Sequence, residues 1–271
     1  MIKYKRIESI EELLPILSEQ GYRKDLDRHR SEFVYRGMLD ADFRLDTSLH
    51  RNCKTLKKDL EPAILKNFTK YAALEDPTVE RSVWHQMILG QHHGLPTRLM
   101  DWSQSPLIGL HFATNERDMD FTDKRDGAVW RIDMKELVGL LPDKYRMPLV
   151  TKSSVVFTVD GLAGITGSLK QYDEDMGDRA MAVIEPPSID LRIVNQYAFF
   201  SVIPSGMDDV EKFLDENTEN TVKYIIDKKL RWRVRDMLDQ LNISERTVYP
   251  GLDGISKWLA RHYFVKDEIL K

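Results

Sequence analysis

Residues Gln91-His92-His93-Gly94-Leu95-Pro96-Thr97-Arg98-Leu99-Met100-Asp101-Trp102 lie between two stretches of helical periodicity and can continue neither. Upstream, 78–89 carries apolar residues at helical spacing, with Gly90 or Gly94 to end the helix. Downstream, Ser105-Pro106 opens a helix through about Asn115, with serine as N-cap and proline in the first turn. Glycine and proline force the backbone to turn between them. Two imidazoles, a guanidinium and a carboxylate are therefore crowded at a bend. A second stretch, Phe33-Val34-Tyr35-Arg36-Gly37, reads as a short strand over 32–37 and supplies another arginine. Together the two stretches point to one polar pocket.

Helical periodicity also marks 9–18, with Ser9 and Glu12 as a capping box, and 60–74, which stops before Asp76-Pro77. Asp126-Gly127 followed by 128–132 reads as a turn and a strand. Further strands are expected over 154–159, 180–185 and 191–203, with Pro186-Pro187 between the last two. The tail, 210–217, 221–241 and 252–263, is helix-like throughout. This is an α+β chain: helices first, a middle of mixed or antiparallel strands, then a helical C-terminal part over 210–271 packed on one domain of 1–271.

With 271 residues and 42% hydrophobic content, the chain can bury a sizeable core. A net charge of -4 gives no overall pull toward nucleic acid or anionic membrane. Lys228, Lys229, Arg231, Arg233 and Arg235 form a local basic stretch, but Asp227, Asp236 and Asp239 flank it, and a solvated amphipathic helix is the simpler reading. One cysteine, Cys53, excludes an intramolecular disulfide and fits a reducing cytoplasm. The first residues hold no apolar signal core, and no apolar run of about 18 residues exists to span a membrane.

Arg36 ends an apolar strand, so it needs an acidic partner or an anionic ligand. A phosphate would meet its fork; so would Asp40, Asp46 or Asp101. Gly37 lets a ligand or another backbone approach closely. His92 and His93 are adjacent, so on extended backbone they point apart. One can serve in acid–base work or hold a ligand while the other packs. They lack metal-ligand spacing, and no metal is expected. Asp101, three residues past Arg98, can pair with it or orient a histidine, while Trp102 reads as core. No nucleophile elbow, phosphate loop or dinucleotide-fold glycine pattern is present.

Tyr35-Arg36-Gly37, the Gln91–Ser103 run, Ser105-Pro106-Leu107 and Phe112-Ala113 resemble the FRG domain family, named for its aromatic-Arg-Gly motif. Gly127-Ala128-Val129, Arg192-Ile193-Val194-Asn195-Gln196 and Tyr249-Pro250-Gly251-Leu252-Asp253-Gly254-Ile255 resemble its downstream signatures. The likeness implies a bacterial or phage setting, near defence or toxin genes, rather than a defined reaction. A fainter similarity links the Tyr-Arg-Gly strand to the first motif of arginine-type ADP-ribosyltransferases, whose arginine holds the cofactor. Val183-Ile184-Glu185-Pro186-Pro187 resembles the end of their acidic motif, yet Ala182 stands where their catalytic glutamate would, with Glu185 displaced.

That likeness implies an NAD- or nucleotide-using site with an ADP-ribosyltransferase-like fold. Arg36, His92, His93, Glu185 and Gln196 would be its catalytic candidates. Tyr35, Gly37, Thr97, Arg98 and Asp101 would be its ligand-binding candidates. A non-catalytic sensor or inhibitor that recognises a nucleotide or a protein target stands as one alternative. A metal-dependent nuclease stands as another.

Overall fold

The computed structural model describes residues 1–116 and 118–266. Among the described residues there are ten strands: β1 (Lys3–Ile7), β2 (Gly21–Arg23), β3 (Arg28–Arg30), β4 (Phe33–Met38), β5 (Leu99–Ser103), β6 (Gly127–Asp133), β7 (Phe157–Thr158), β8 (Ala182–Glu185), β9 (Ala198–Val202) and β10 (Val222–Ile226). Eight of them form one mixed sheet in the order β1-β10-β6-β4-β5-β9-β8-β7, and β2 and β3 pair as a separate hairpin. Pairing is antiparallel except at the edges, where β1 runs parallel to β10 and β7 parallel to β8.

One face of the sheet buries Val34, Met100, Trp102, Trp130, Ile132 and Phe199 against Met134, Leu137, Phe213 and Leu214. The other face divides. Around β5, β8 and β9, Leu99, Ala182, Ile184 and Phe200 pack on Trp84, Met87, Ile88 and Tyr172. Around β4, β6 and β10, Tyr35, Val129 and Tyr224 pack on Leu110, Ala113, Val234 and Leu238. The helices Val83–His92 and Pro106–Thr114 therefore cover neighbouring parts of one face.

The α+β class and the central mixed sheet agree with the sequence reading. Several elements differ from it. The 221–241 stretch is not one helix: Val222–Ile226 is a strand inserted between β1 and β6, and only Arg231–Gln240 is α-helical. Val222, Tyr224 and Ile226 alternate into the core, a two-residue period that the long charged run after them masks. Nor is that run a solvated helix face, since Arg231 and Arg235 are both fully buried. The chain opens on a strand, β1, whose side chains are mostly exposed and give no apolar signal. The 191–203 stretch splits into a helix, Leu191–Asn195, and β9. The strand expected over 154–159 is only two residues long, and Glu12 accepts from the Glu8 amide (2.7 Å) rather than closing a box with Ser9.

Gly37 shows why β4 must end as it does. A Cβ there would stand 2.0 Å from the Gly109 carbonyl oxygen and 2.5 Å from the Ala113 nitrogen. The close approach expected of this glycine is therefore that of the 106–114 helix backbone, not of a ligand.

Candidate functional site

The turn after the Val83–His92 helix follows from Gly94, whose φ of +82° favours a residue without a side chain. The Leu95 amide returns to the Gly90 carbonyl (2.8 Å), closing the helix end. His93 caps that helix and is exposed, away from the pocket. The chain then enters β5 through Thr97 and Arg98, both buried.

A cavity of about 260 Å³ opens over β4, β5 and β9, between the two halves of the divided face. Its walls include Arg36, Gln91, His92, Asp101, Ser103 and Gln196, with Tyr35, Gly37, Trp102, Phe112, Arg192, Ile193, Ala198 and Phe200 around them. A few polar groups on an aromatic and apolar floor are the usual make-up of a small-molecule site.

Arg36 is held by a gap in the sheet. β4 and β5 share one bridge, Tyr35 opposite Ser103. Beyond it the ladder stops, and Arg36 Nη1 donates to the Asp101 carbonyl (2.8 Å) and lies 3.4 Å from the Asp101 carboxylate. Of the three carboxylates proposed for it, Asp101 is the partner; Asp40 pairs with Arg125 and Asp46 with His50. Burial lowers the guanidinium pKa, Asp101 raises it, and the nearby positive charge of Arg51 lowers it further. Arg36 Nε is buried with no acceptor. An orphaned donor of this kind costs about 1–3 kcal/mol.

Asp101 is oriented from behind. Buried Thr97 donates through Oγ1 to Gln91 Oε1 (2.5 Å), which turns the amide so that Nε2 donates to both Asp101 oxygens (3.1 and 3.0 Å). Thr97 thus acts through Gln91 and does not line the cavity. His92 Nε2 stands 2.6 Å from Asp190 Oδ2. Burial lowers the imidazole pKa, Asp190 raises it, and His93 and Arg192 lower it, with a net downward shift. The ring is therefore neutral at pH 7 and fit to donate or accept a proton. Asp190 also N-caps the Leu191–Asn195 helix, taking the Ile193 amide on Oδ1 (3.0 Å). That helix reaches the cavity with Arg192, Ile193 and Gln196. Ser103 Oγ donates to the Gln196 carbonyl (2.6 Å), and Gln196 Nε2 donates to the Val248 carbonyl (3.2 Å).

The structure thus brings Arg36, His92, Asp101 and Gln196 to one cavity, with Tyr35 and Gly37 on its border. The Tyr35 hydroxyl turns away to Glu19 (3.5 Å), and burial raises its pKa. Four expected residues are elsewhere, Thr97 among them. Arg98 is buried between Glu61 (Nε to Oε1, 2.8 Å) and Asp173 (Nη1 to Oδ1, 2.5 Å), not beside Asp101. Burial lowers its pKa, but the two carboxylates outweigh that and raise it. It is a core ion network, not a ligand contact. Glu185 is exposed at the end of β8, outside the cavity lining, and His93 is outside it too. Among the described residues, no three His, Cys, Asp or Glu side chains gather as metal ligands. No helix there is long and apolar enough to cross a membrane.

Sequence reasoning missed Arg192, Asp190, Gln91 and Phe112 as parts of the site. The signal for the first two was Asp190 after Pro186-Pro187, an N-cap that a strand reading of 191–203 concealed.

Comparison with protein families matches residues 31–121 to the FRG domain. The match spans Tyr35-Arg36-Gly37, the Gln91–Ser103 run and Phe112-Ala113, and stops before the runs at Gly127, Arg192 and Tyr249. Comparisons with curated proteins and with solved structures find no match. The chain carries an FRG domain, and that domain contributes Arg36, Gln91, His92 and Asp101 to the cavity.

Proposed function

We propose that the cavity binds a nucleotide-class small molecule, with NAD as the first candidate. The observation that carries this reading is Arg36: a guanidinium fixed at a sheet gap and bordering a cavity whose apolar lining includes Phe112 and Phe200. The aromatic floor suits a planar ring. Asp101, Gln91 and Gln196 suit ribose hydroxyls. The two guanidiniums, Arg36 and Arg192, suit a phosphate. The volume is near the lower end for small-molecule sites, so one nucleotide half fills it and the rest of a dinucleotide would extend to the mouth.

Two activities fit such a pocket. Glu185 lies outside the lining, so the residue offered as catalytic acid is not at the ring, which favours binding without turnover by a sensor or inhibitor. ADP-ribose transfer to a protein target is the second reading. It is favoured by Asp101 and the His92–Asp190 pair inside the cavity, where a carboxylate can stabilise a ribosyl cation and a neutral histidine can move a proton. A setting in bacterial defence, toxin action or phage–host conflict rests on the FRG resemblance.

Calorimetry with AMP, nicotinamide mononucleotide and NAD tests the proposal. The wild type is expected to bind at least one saturably, and Arg36→Ala to weaken it tenfold or more while the free protein melts within a few degrees of wild type. No saturable binding by the wild type overturns it. Nicotinamide release from NAD then separates transfer from binding alone.

A further inference from the structure

The cavity holds two arginines whose circumstances differ. Arg36 has a carboxylate beside it, Asp101, at 3.4 Å. Arg192, on the Leu191–Asn195 helix, has no carboxylate partner among the described residues. Its nearest acid in sequence, Asp190, is committed on both oxygens, one against His92 (2.6 Å) and one to the Ile193 amide (3.0 Å). Arg192 is instead steadied by a ring: its guanidinium lies 5.3 Å from the centroid of Tyr249. Tyr249 is edge-on to Phe112, which lines the cavity, with centroids 6.4 Å apart. A cation held by an aromatic face keeps its N–H donors outward, whereas a carboxylate would consume them. The helix that carries it is pinned to the segment before Tyr249, by Asn195 Nδ2 to the Thr247 carbonyl (2.7 Å) and Gln196 Nε2 to the Val248 carbonyl (3.2 Å). The guanidinium and its platform are therefore built as one piece at the cavity wall.

We infer that Arg192 is the residue that reads the ligand's phosphate, and that Tyr249 is the positioning residue that aims it. This rests on the nucleotide reading above and sharpens it: the site distinguishes a phosphorylated ligand from its nucleoside through Arg192, while Arg36 serves the ligand's other oxygens. The charges agree. Arg36 contacts Asp101, and Asp190 has both oxygens taken by His92 and the Ile193 amide, so Arg192 is the cavity guanidinium without a carboxylate contact and the one left to meet an anion.

Calorimetry of the full chain with AMP, adenosine and inorganic phosphate tests this, on wild type, Arg192→Ala, Arg192→Lys and Tyr249→Leu. Expected are a tenfold or greater loss of AMP affinity in Arg192→Ala, less than a twofold change for adenosine, and partial rescue in Arg192→Lys. Tyr249→Leu should show the same AMP-selective loss, smaller in size. Inorganic phosphate bound by the wild type and lost in Arg192→Ala supports the assignment from the anion alone. Equal losses for AMP and adenosine, or unchanged AMP binding in Arg192→Ala, overturn it while leaving the nucleotide reading intact. A wild type that binds none of these three probes overturns the assignment, and one that also binds neither nicotinamide mononucleotide nor NAD overturns the nucleotide reading with it. Because Arg192 is exposed, its variants should melt with the wild type, which a thermal scan checks.

Discussion

Arginines expected in one pocket can have unrelated fates. Arg36 and Arg98 both read as pocket residues, and only Arg36 borders the cavity, because Arg98 turns to Glu61 and Asp173 on its other side. A motif states that a cation must be matched but not by what. Gly37 is the clearest single-residue constraint. The space for a Cβ is taken by the Gly109 carbonyl, 2.0 Å away, and both partners are backbone. Gly37→Ala must part strand and helix, an overpacking cost on the order of 3 kcal/mol. The expected outcome is a chain that melts many degrees lower or is recovered insoluble. A melting temperature within two or three degrees of wild type would show that the helix can shift freely. The glycine itself was visible in the sequence. Whether a ligand or a helix approached it was not, because that depends on the partner brought across β4.

At the scale of elements, the pocket depends on helices distant in sequence. His111, on the 106–114 helix beside Phe112, is fully buried and accepts from Arg235 Nη1 on Nδ1 (3.0 Å). Arg235 in turn meets Glu245, which also receives Arg261. This network joins the helix behind the cavity to the Arg231–Gln240, Glu245–Val248 and Leu252–His262 helices. Burial, then the charges of Arg235 and Arg261, lower the His111 pKa well below its ordinary value. The folded chain thus resists protonation at a site that the unfolded chain protonates near pH 6.5. Unfolding takes up protons in that window, so stability is greatest above pH 6.5 and is lost as pH falls below it. The melting temperature is expected to fall from pH 7 to pH 5, and His111→Gln, which keeps an acceptor for Arg235 but cannot titrate, to flatten that fall. The same slope in the variant would remove His111 as its source. His92, also shifted downward, adds to the same trend. None of this coupling was legible beforehand: the helices opening at Ser105-Pro106 and over 252–263 were, the Glu245–Val248 helix was not, and partner choice among buried charges lies in their docking.

For the whole molecule, the tail is part of the sheet. β10 lies between β1 and β6, so a chain ending at Asn217 would lose the strand that joins the first strand to the rest. Such a truncation is expected to yield no cooperative melting transition and no ligand binding; a folded, binding product would show that β10 is dispensable. The α+β class, the strand at Tyr35-Arg36-Gly37, the helix that ends at Gly94 and the helix that opens at Ser105-Pro106 were all determined by the sequence. Local rules set them: side-chain period, caps, and the φ restrictions of glycine and proline. The membership of the cavity was decided by tertiary structure. Pairing of β5 with both β4 and β9 set Asp101 and Ser103 beside Arg36 and Ala198, and the Asp190 cap turned Arg192 and Gln196 onto the same wall. Those neighbours are separated by tens of residues along the chain. No local rule relates them, because the sheet order that joins them is chosen by the burial of whole faces, not by any one segment's pattern.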